Sequence, residues 1–423
     1  MANFIKHTFK NGLRLLVIPQ KESPSVTVGI FVEAGAAYEN QKNNGISHFL
    51  EHMCFKGTKK RPTPMDIASE LAGLGALSNA FTSRDLTGYW AKVAYNKMDK
   101  VFDILADMYL NPVFNKKEIE KEKGVIIEEI NMYEDQPRAK VSEELDKLMY
   151  GNQPAGWSIA GPKENIRIIS QNDFIKYRSS HYHGSKTIVV IAGRIDTKKA
   201  RQMVDKYFSN LDKGKRIISK NVLEKQNSPL LSIVKKDLDQ THFIFGLKSF
   251  ALNSPKKYPL ALLSEILGGG MSSRLFQKVR EELGAAYYVG SSPSLFKTHG
   301  YLEIFAGVNH QKTFIAIKAI LDELREILKN GINDKELIRA KDHYIGNLML
   351  SLETSSDLAF FYGEQETILG KINSSQEIIK KLQLVSKKDV MEVAKQVFQN
   401  KGLNLAVIGP YKKESDFKKL LRI

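Results

Sequence analysis

The run His48-Phe49-Leu50-Glu51-His52 places two imidazoles four residues apart with a carboxylate between them, at i, i+3 and i+4. On a helix this spacing brings all three side chains onto one face. Two neutral imidazoles form half of a zinc site, and a carboxylate beside an open coordination position can take a proton from bound water. The order His-x-x-Glu-His is that of the inverted zinc-peptidase motif; in the commoner zincin order Glu directly follows the first His. By themselves the five residues also describe a helix with two surface histidines and an ion pair.

A tetrahedral catalytic site needs a third protein ligand, and the stretch from Lys117 to Tyr133 offers carboxylates on an amphipathic helix. At about 100° per residue, Ile119, Ile126, Ile130 and Tyr133 form one stripe, and Glu122 and Glu129 lie within about 60° of its centre line. Glu128, at about 200° from Ile126, and Glu120, at about 120°, point to solvent. Glu129 is therefore a better ligand than Glu128. Glu122, two turns earlier on the same face, can orient a ligand or a water. Periodicity alone also fits a helix flanked by acids.

These residues need a framework, and strand-like and helix-like segments alternate along the chain. Asn11-Gly12 between alternating segments predicts a hairpin with strands around Phe4 to Phe9 and Leu13 to Ile18. SVTVGIFVEAG reads as a strand, NGISHFLEHMCF as a helix, PMDIASELAGLG as a helix stopped by Gly73 and Gly75, and SNAFTSRDLTGYWAKVAY as a hairpin. Two helices and the buried strand SKTIVVIAGRID complete this half. After a polar stretch the order recurs, with HFIFGLKSF, YPLALLSEILGGG, SSRLFQKVREELG, YLEIFAGV and LNLAVIGP as strand, helix, helix, strand and strand. NKKEIEKEKGVIIEEI from Asn115 is similar to NDKELIRAKDHYIGNL from Asn333, a repeat on the scale of a duplicated domain. The expected division is 1–212 as an N-terminal zinc-binding catalytic domain, 213–228 as a linker and 229–423 as a related C-terminal domain.

Composition narrows the function classes. With 42% hydrophobic and 26% charged residues among 423, the chain can bury sizeable cores and is neither disordered nor collagen-like. Its one cysteine, Cys54, excludes an intrachain disulfide and reads as a small buried residue. The net charge of +16 comes from Lys spread beside Glu and Asp, a solvated face, so no nucleic-acid partner is expected. No apolar run approaches the roughly 18–20 residues of a membrane span, and the N-terminus lacks the apolar core of a secretory signal, so a cytoplasmic protein without a membrane partner is expected. His181 and His183 share one face of a possible strand without a carboxylate or Cys cluster nearby, which favours packing or surface roles. Gly268-Gly269-Gly270 is a helix stop, since no Gly-Lys-Ser/Thr follows.

GISHFLEHMCFKGT from Gly45 and EKGVIIEEI from Glu122 resemble the signature and third-ligand helices of the pitrilysin, insulinase and mitochondrial processing peptidase family of inverted-motif zinc metallopeptidases, in its bacterial processing-peptidase-like branch. The separation of His52 from Glu129 matches that family as well. The resemblance implies one Zn2+ per chain held by His48, His52 and Glu129, with Glu51 as general base and Glu122 as supporting acid. SNAFTS from Ser78 resembles the edge strand on which these enzymes bind substrate as an added β-strand, with Asn79 and Ala80 at the main-chain contacts. REELGAAYY from Arg280 resembles the segment whose Arg and Tyr complete the site: Arg280 would hold a substrate carbonyl and Tyr287 would donate to the oxyanion. In the second half Leu262 to Ile266 stand where the first has His48 to His52, Asn347 where it has Glu129 and Ala340 where it has Glu122, so that half carries no metal ligands.

The fold so implied is α+β, two related domains, each a mainly antiparallel sheet packed with helices, forming a clamshell chamber. The implied function is a zinc-dependent endopeptidase hydrolysing unfolded polypeptides bound as an added β-strand within the closed chamber. Its partners would be the peptide substrate and a second copy or related subunit, as homodimer or heterodimer. The alternatives are a non-catalytic structural or partner subunit of a processing-peptidase-like complex, and a peptide-binding chaperone using the same edge strand.

Overall fold

The structure, a computed structural model, describes residues 4–215 and 217–423. Its contacts divide the chain into two units. The first gathers the chain up to Asn131 with Ser158–Lys220 and Met349–Ser374; the second gathers Met132–Trp157, Asn221–Leu348 and Ser375–Ile423.

Unit one is built on six strands: β1 (Ile5–Thr8), β2 (Arg14–Pro19), β3 (Ser25–Val32), β4 (Leu77–Thr82), β5 (Thr87–Ala94) and β6 (Thr187–Gly193). They pair in the order β1-β2-β6-β3-β5-β4, antiparallel except for β2 with β6. The near-continuous apolar run of β3 follows from burial on both faces. Val26, Val28, Ile30 and Val32 join a core with Phe49, Leu50 and Phe102, whereas Phe31 packs on the opposite side with Leu358 and Tyr362.

Unit two is built on β7 (Leu230–Lys235), β8 (Thr241–Lys248), β9 (Ala286–Leu295), β10 (Gly300–Val308) and β11 (Leu403–Gly409). Their order is β7-β11-β8-β10-β9, with only the β7–β11 pair parallel. Strand for strand this is the order of unit one without β1, so the repeat in sequence is a repeat in topology.

Neither unit is a continuous half of the chain, which differs from the linear division expected at residues 212 and 228. Helix Ser355–Leu369, late in sequence, packs on β2, β3 and β6 of unit one, and helix Pro137–Tyr150, early in sequence, packs on β7, β8 and β11 of unit two. Each lies on an apolar sheet face that its own neighbours in sequence leave uncovered. A charged pin holds the first of these: the buried Glu366 carboxylate pairs with Lys6 at 2.7 Å and Arg14 at 3.0 Å. The segment SSRLFQKVREELG is helical as expected but of π type over Phe276–Glu282, where Leu283 N–H donates to the Lys278 carbonyl at 3.2 Å. His181 and His183 do not share a strand: His181 ends helix Gln171–His181 and His183 follows it, both buried. Among the described residues no helix is long and apolar enough to cross a membrane.

Candidate active site

The motif occupies helix Ile46–Met53, whose Ile46, Phe49, Leu50 and Met53 are buried in the core of unit one. That i, i+3, i+4, i+7 anchor leaves His48 and His52 together on another face. The helix begins at Gly45 with φ +100°, a left-handed conformation, where an added Cβ would lie 2.6 Å from the Ala160 carbonyl, so only glycine fits. With no side chain at the N-cap, the first N–H groups are satisfied from a distance. The buried Glu39 carboxylate accepts from Gly45 N at 2.9 Å, Ser47 N at 2.8 Å and Asn44 Nδ2 at 2.8 Å. Burial pushes the Glu39 pKa up, opposed by the Ser47 and Asn44 hydrogen bonds. Glu39→Ala is expected to destabilise unit one by about 2–4 kcal/mol, because three donors at a buried helix end lose their acceptor. The midpoint of urea unfolding checks this, and a loss under about 0.5 kcal/mol would mean that water replaces the carboxylate.

Helix Lys116–Asp135 brings the carboxylates. Ile119, Glu122 and Ile126 are buried and Glu128 is exposed, as helical phase predicts, but the stripe ends early, with Tyr133 exposed at 38%. Nε2 of His48 stands 3.3 Å from Nε2 of His52, and each lies 3.6 Å from Glu129 Oε2. Ligands bound tetrahedrally at about 2.0–2.2 Å from one ion stand about 3.3–3.6 Å apart. The three side chains therefore fit a zinc ion. Among the described residues they are the one group of three that could hold a metal. Burial, with His52 close by, lowers the His48 pKa to about 4, so its imidazole is neutral at neutral pH and has a lone pair to give.

Glu122 acts on the far side of His52. Its Oε1 lies 2.8 Å from His52 Nδ1, while Lys56 Nζ holds its other oxygen at 2.6 Å. Although burial works against the charge, these two partners lower the Glu122 pKa. An ionised Glu122 accepts the Nδ1 proton and so leaves the Nε2 lone pair of His52 facing Glu129 and His48. Glu51 is buried beside the cluster, where desolvation raises its pKa, opposed by a hydrogen bond from Thr82.

Asn79 and Ala80 lie on β4, the edge strand, opposite Trp90 and Tyr89 of β5. Ser83 N–H donates to the Leu86 carbonyl at 2.8 Å, just beyond the pair Thr82 and Thr87. Alternation along an antiparallel ladder then turns the backbone groups of Phe81 and Asn79 inward and leaves those of Ser78, Ala80 and Thr82 at the open edge. Ala80 N–H meets Asn79 Oδ1 at 2.9 Å.

Arg280 and Tyr287 belong to unit two. Arg280 lies on the π-helical turn, exposed, with its guanidinium 4.8 Å from the centre of the Phe276 ring. On β9, Ala286 pairs with Val308 and Tyr288 with Gly307, so Tyr287 is the extra residue of a β-bulge and is 72% exposed. In helix Lys257–Gly268, the counterpart of the motif helix, Leu262, Leu263, Ser264 and Ile266 are buried, and Glu265 bonds His343.

Residues 15–163 match the profile described as insulinase, peptidase family M16. An uncharacterized zinc protease of Bacillus subtilis, YmxG, is 35% identical over 96% of this chain and 98% of its own length. The chain belongs to the M16 family. An uncharacterized zinc protease of Rickettsia felis is 34% identical over 96% of this chain and 98% of that protein. A protease of Helicobacter pylori shares the M16 fold, with TM-score 0.91 over 97% of this chain and 100% of that one, at 23% identity. Residues 169–344 match the profile described as the peptidase M16 inactive domain. Within this M16 chain, Glu39, Lys56 and Thr82 escaped sequence reasoning. Only Lys56, four residues after His52, carried a local signal.

Proposed function

We propose that this chain is a zinc-dependent endopeptidase acting on unfolded polypeptides, with one ion held by His48, His52 and Glu129. The observation that carries the reading is the spacing of their three donor atoms, 3.3 and 3.6 Å, with the carboxylate of Glu51 buried alongside. When bound, zinc supplies a Lewis acid that acidifies a coordinated water and polarises the scissile carbonyl. Glu51 accepts the water's proton and delivers it to the leaving amine, and burial makes it a stronger base than an exposed carboxylate. Glu122, itself held by Lys56, keeps His52 in the tautomer a ligand needs.

The open edge of β4 would take substrate as an added strand through the backbone of Ala80 and its alternate neighbours, with Asn79 beside them. Main-chain pairing is largely indifferent to side chains and requires an extended peptide, which favours unfolded substrates. The family resemblance assigns Tyr287 to the oxyanion and Arg280 to a substrate carbonyl, and the exposed, bulge-borne Tyr287 is available for that role.

The test is hydrolysis of a library of quenched unfolded peptides by the zinc-loaded chain, beside the same sequences embedded in folded domains. Cleavage at internal bonds of the unfolded set alone is expected. No cleavage with zinc bound would favour the non-catalytic subunit.

A further inference from the structure

Glu51 needs one oxygen aimed at the water it deprotonates, so whatever holds its other oxygen sets its aim. That oxygen, Oε2, accepts a hydrogen bond from Thr82 Oγ1 at 2.5 Å. Thr82 is the last residue of β4, the strand whose open edge would receive substrate. Among the described residues its hydroxyl also meets Thr87 Oγ1 at 3.4 Å, and that hydroxyl donates to the Ala34 carbonyl at 2.9 Å. Thr82 is β-branched, so its backbone strongly restricts χ1, and the position of the strand dictates where the hydroxyl sits.

The chain beyond Thr82 is held in place. Ala36 N–H donates to the Ser83 carbonyl at 3.2 Å and Ala37 N–H to the Arg84 carbonyl at 2.8 Å. Gly35 lies so close to this turn that an added Cβ would come within 2.3 Å of the Ser83 carbonyl oxygen. On the other side, the backbone groups of Thr82 face the open edge, where an incoming strand would pair.

We propose that Thr82 is a positioning residue that couples docking of the substrate strand to the alignment of Glu51. An added strand pairing with the Thr82 backbone immobilises a residue whose side chain orients the base. The peptide is thereby read twice, as a ligand of the edge and as the clamp on Glu51. This inference rests on the peptidase reading.

The experiment compares Thr82→Val, which keeps the branched shape without the hydroxyl, and Thr82→Ser, which keeps the hydroxyl, with the wild type. For Thr82→Val, kcat is expected to fall about 10- to 100-fold, the scale of a misplaced catalytic group, with KM and zinc content unchanged within two-fold. Binding of an unfolded peptide to the zinc-free chain is expected to be unchanged within two-fold, because docking uses the backbone. Thr82→Ser should recover most of the loss. A Thr82→Val variant with wild-type kcat, a change in KM alone, or equal losses in both variants would each overturn the coupling while leaving the peptidase reading intact. A zinc-loaded wild type that cleaves nothing would overturn the peptidase reading, and the coupling with it.

Discussion

Glu51→Gln is expected to lower kcat for peptide hydrolysis by about three orders of magnitude, within the roughly 10²–10⁴-fold that a positioned general base contributes. The amide is nearly the shape of the carboxylate, and its oxygen can still accept from Thr82, so the local packing survives. What it lacks is the capacity to take a proton. Because Glu51 is not among the three clustered donors, zinc content should stay at the wild-type level. Steady-state kinetics with metal analysis on the same preparation checks both halves. Undiminished hydrolysis would remove Glu51 from the mechanism, and loss of zinc would make it a ligand.

Removing zinc with a chelator is expected to abolish hydrolysis reversibly while leaving the secondary structure intact. The two helices that carry the donors do not depend on the ion for their placement. The motif helix is anchored by Ile46, Phe49, Leu50 and Met53, and the carboxylate helix by Ile119 and Ile126, all within the core of unit one. A small zinc-dependent domain unfolds without its metal because it lacks such a core. Here the cost is limited to the linkage term, about 3–4 kcal/mol at free zinc 100- to 1,000-fold above Kd. Circular dichroism and thermal melting with and without chelator, followed by zinc addition, test this. A chain that loses its far-ultraviolet signal on chelation would show that the metal is structural.

The parts of the metal cluster that periodicity made legible fall into two groups, each lying within two turns of its own helix. His48 and His52 are four residues apart, and Glu122 and Glu129 seven, so helical geometry relates each pair without knowledge of the fold. The same phase turns Glu128 outward, as it stands. The hairpins and the buried strands were legible for a similar reason, since alternation and turn residues act over a few positions, and the duplication because those local patterns recur in the same order. Pairing His52 with a carboxylate on another helix was not local, and there the family resemblance supplied what periodicity left open.

Tertiary structure decided the rest. Glu39 reaches the motif helix from a turn before it, and Thr82 reaches Glu51 from a different strand. The bulge that exposes Tyr287 arises from the register between β9 and β10. Helices Pro137–Tyr150 and Ser355–Leu369 cover sheets far from them in sequence. By itself the sequence determined the elements, their buried faces and the chemistry each face could carry. Only the folded chain decided which face meets which, because an apolar stripe specifies that it must be covered and not by what. A buried polar group, equally, must find a partner wherever packing brings one.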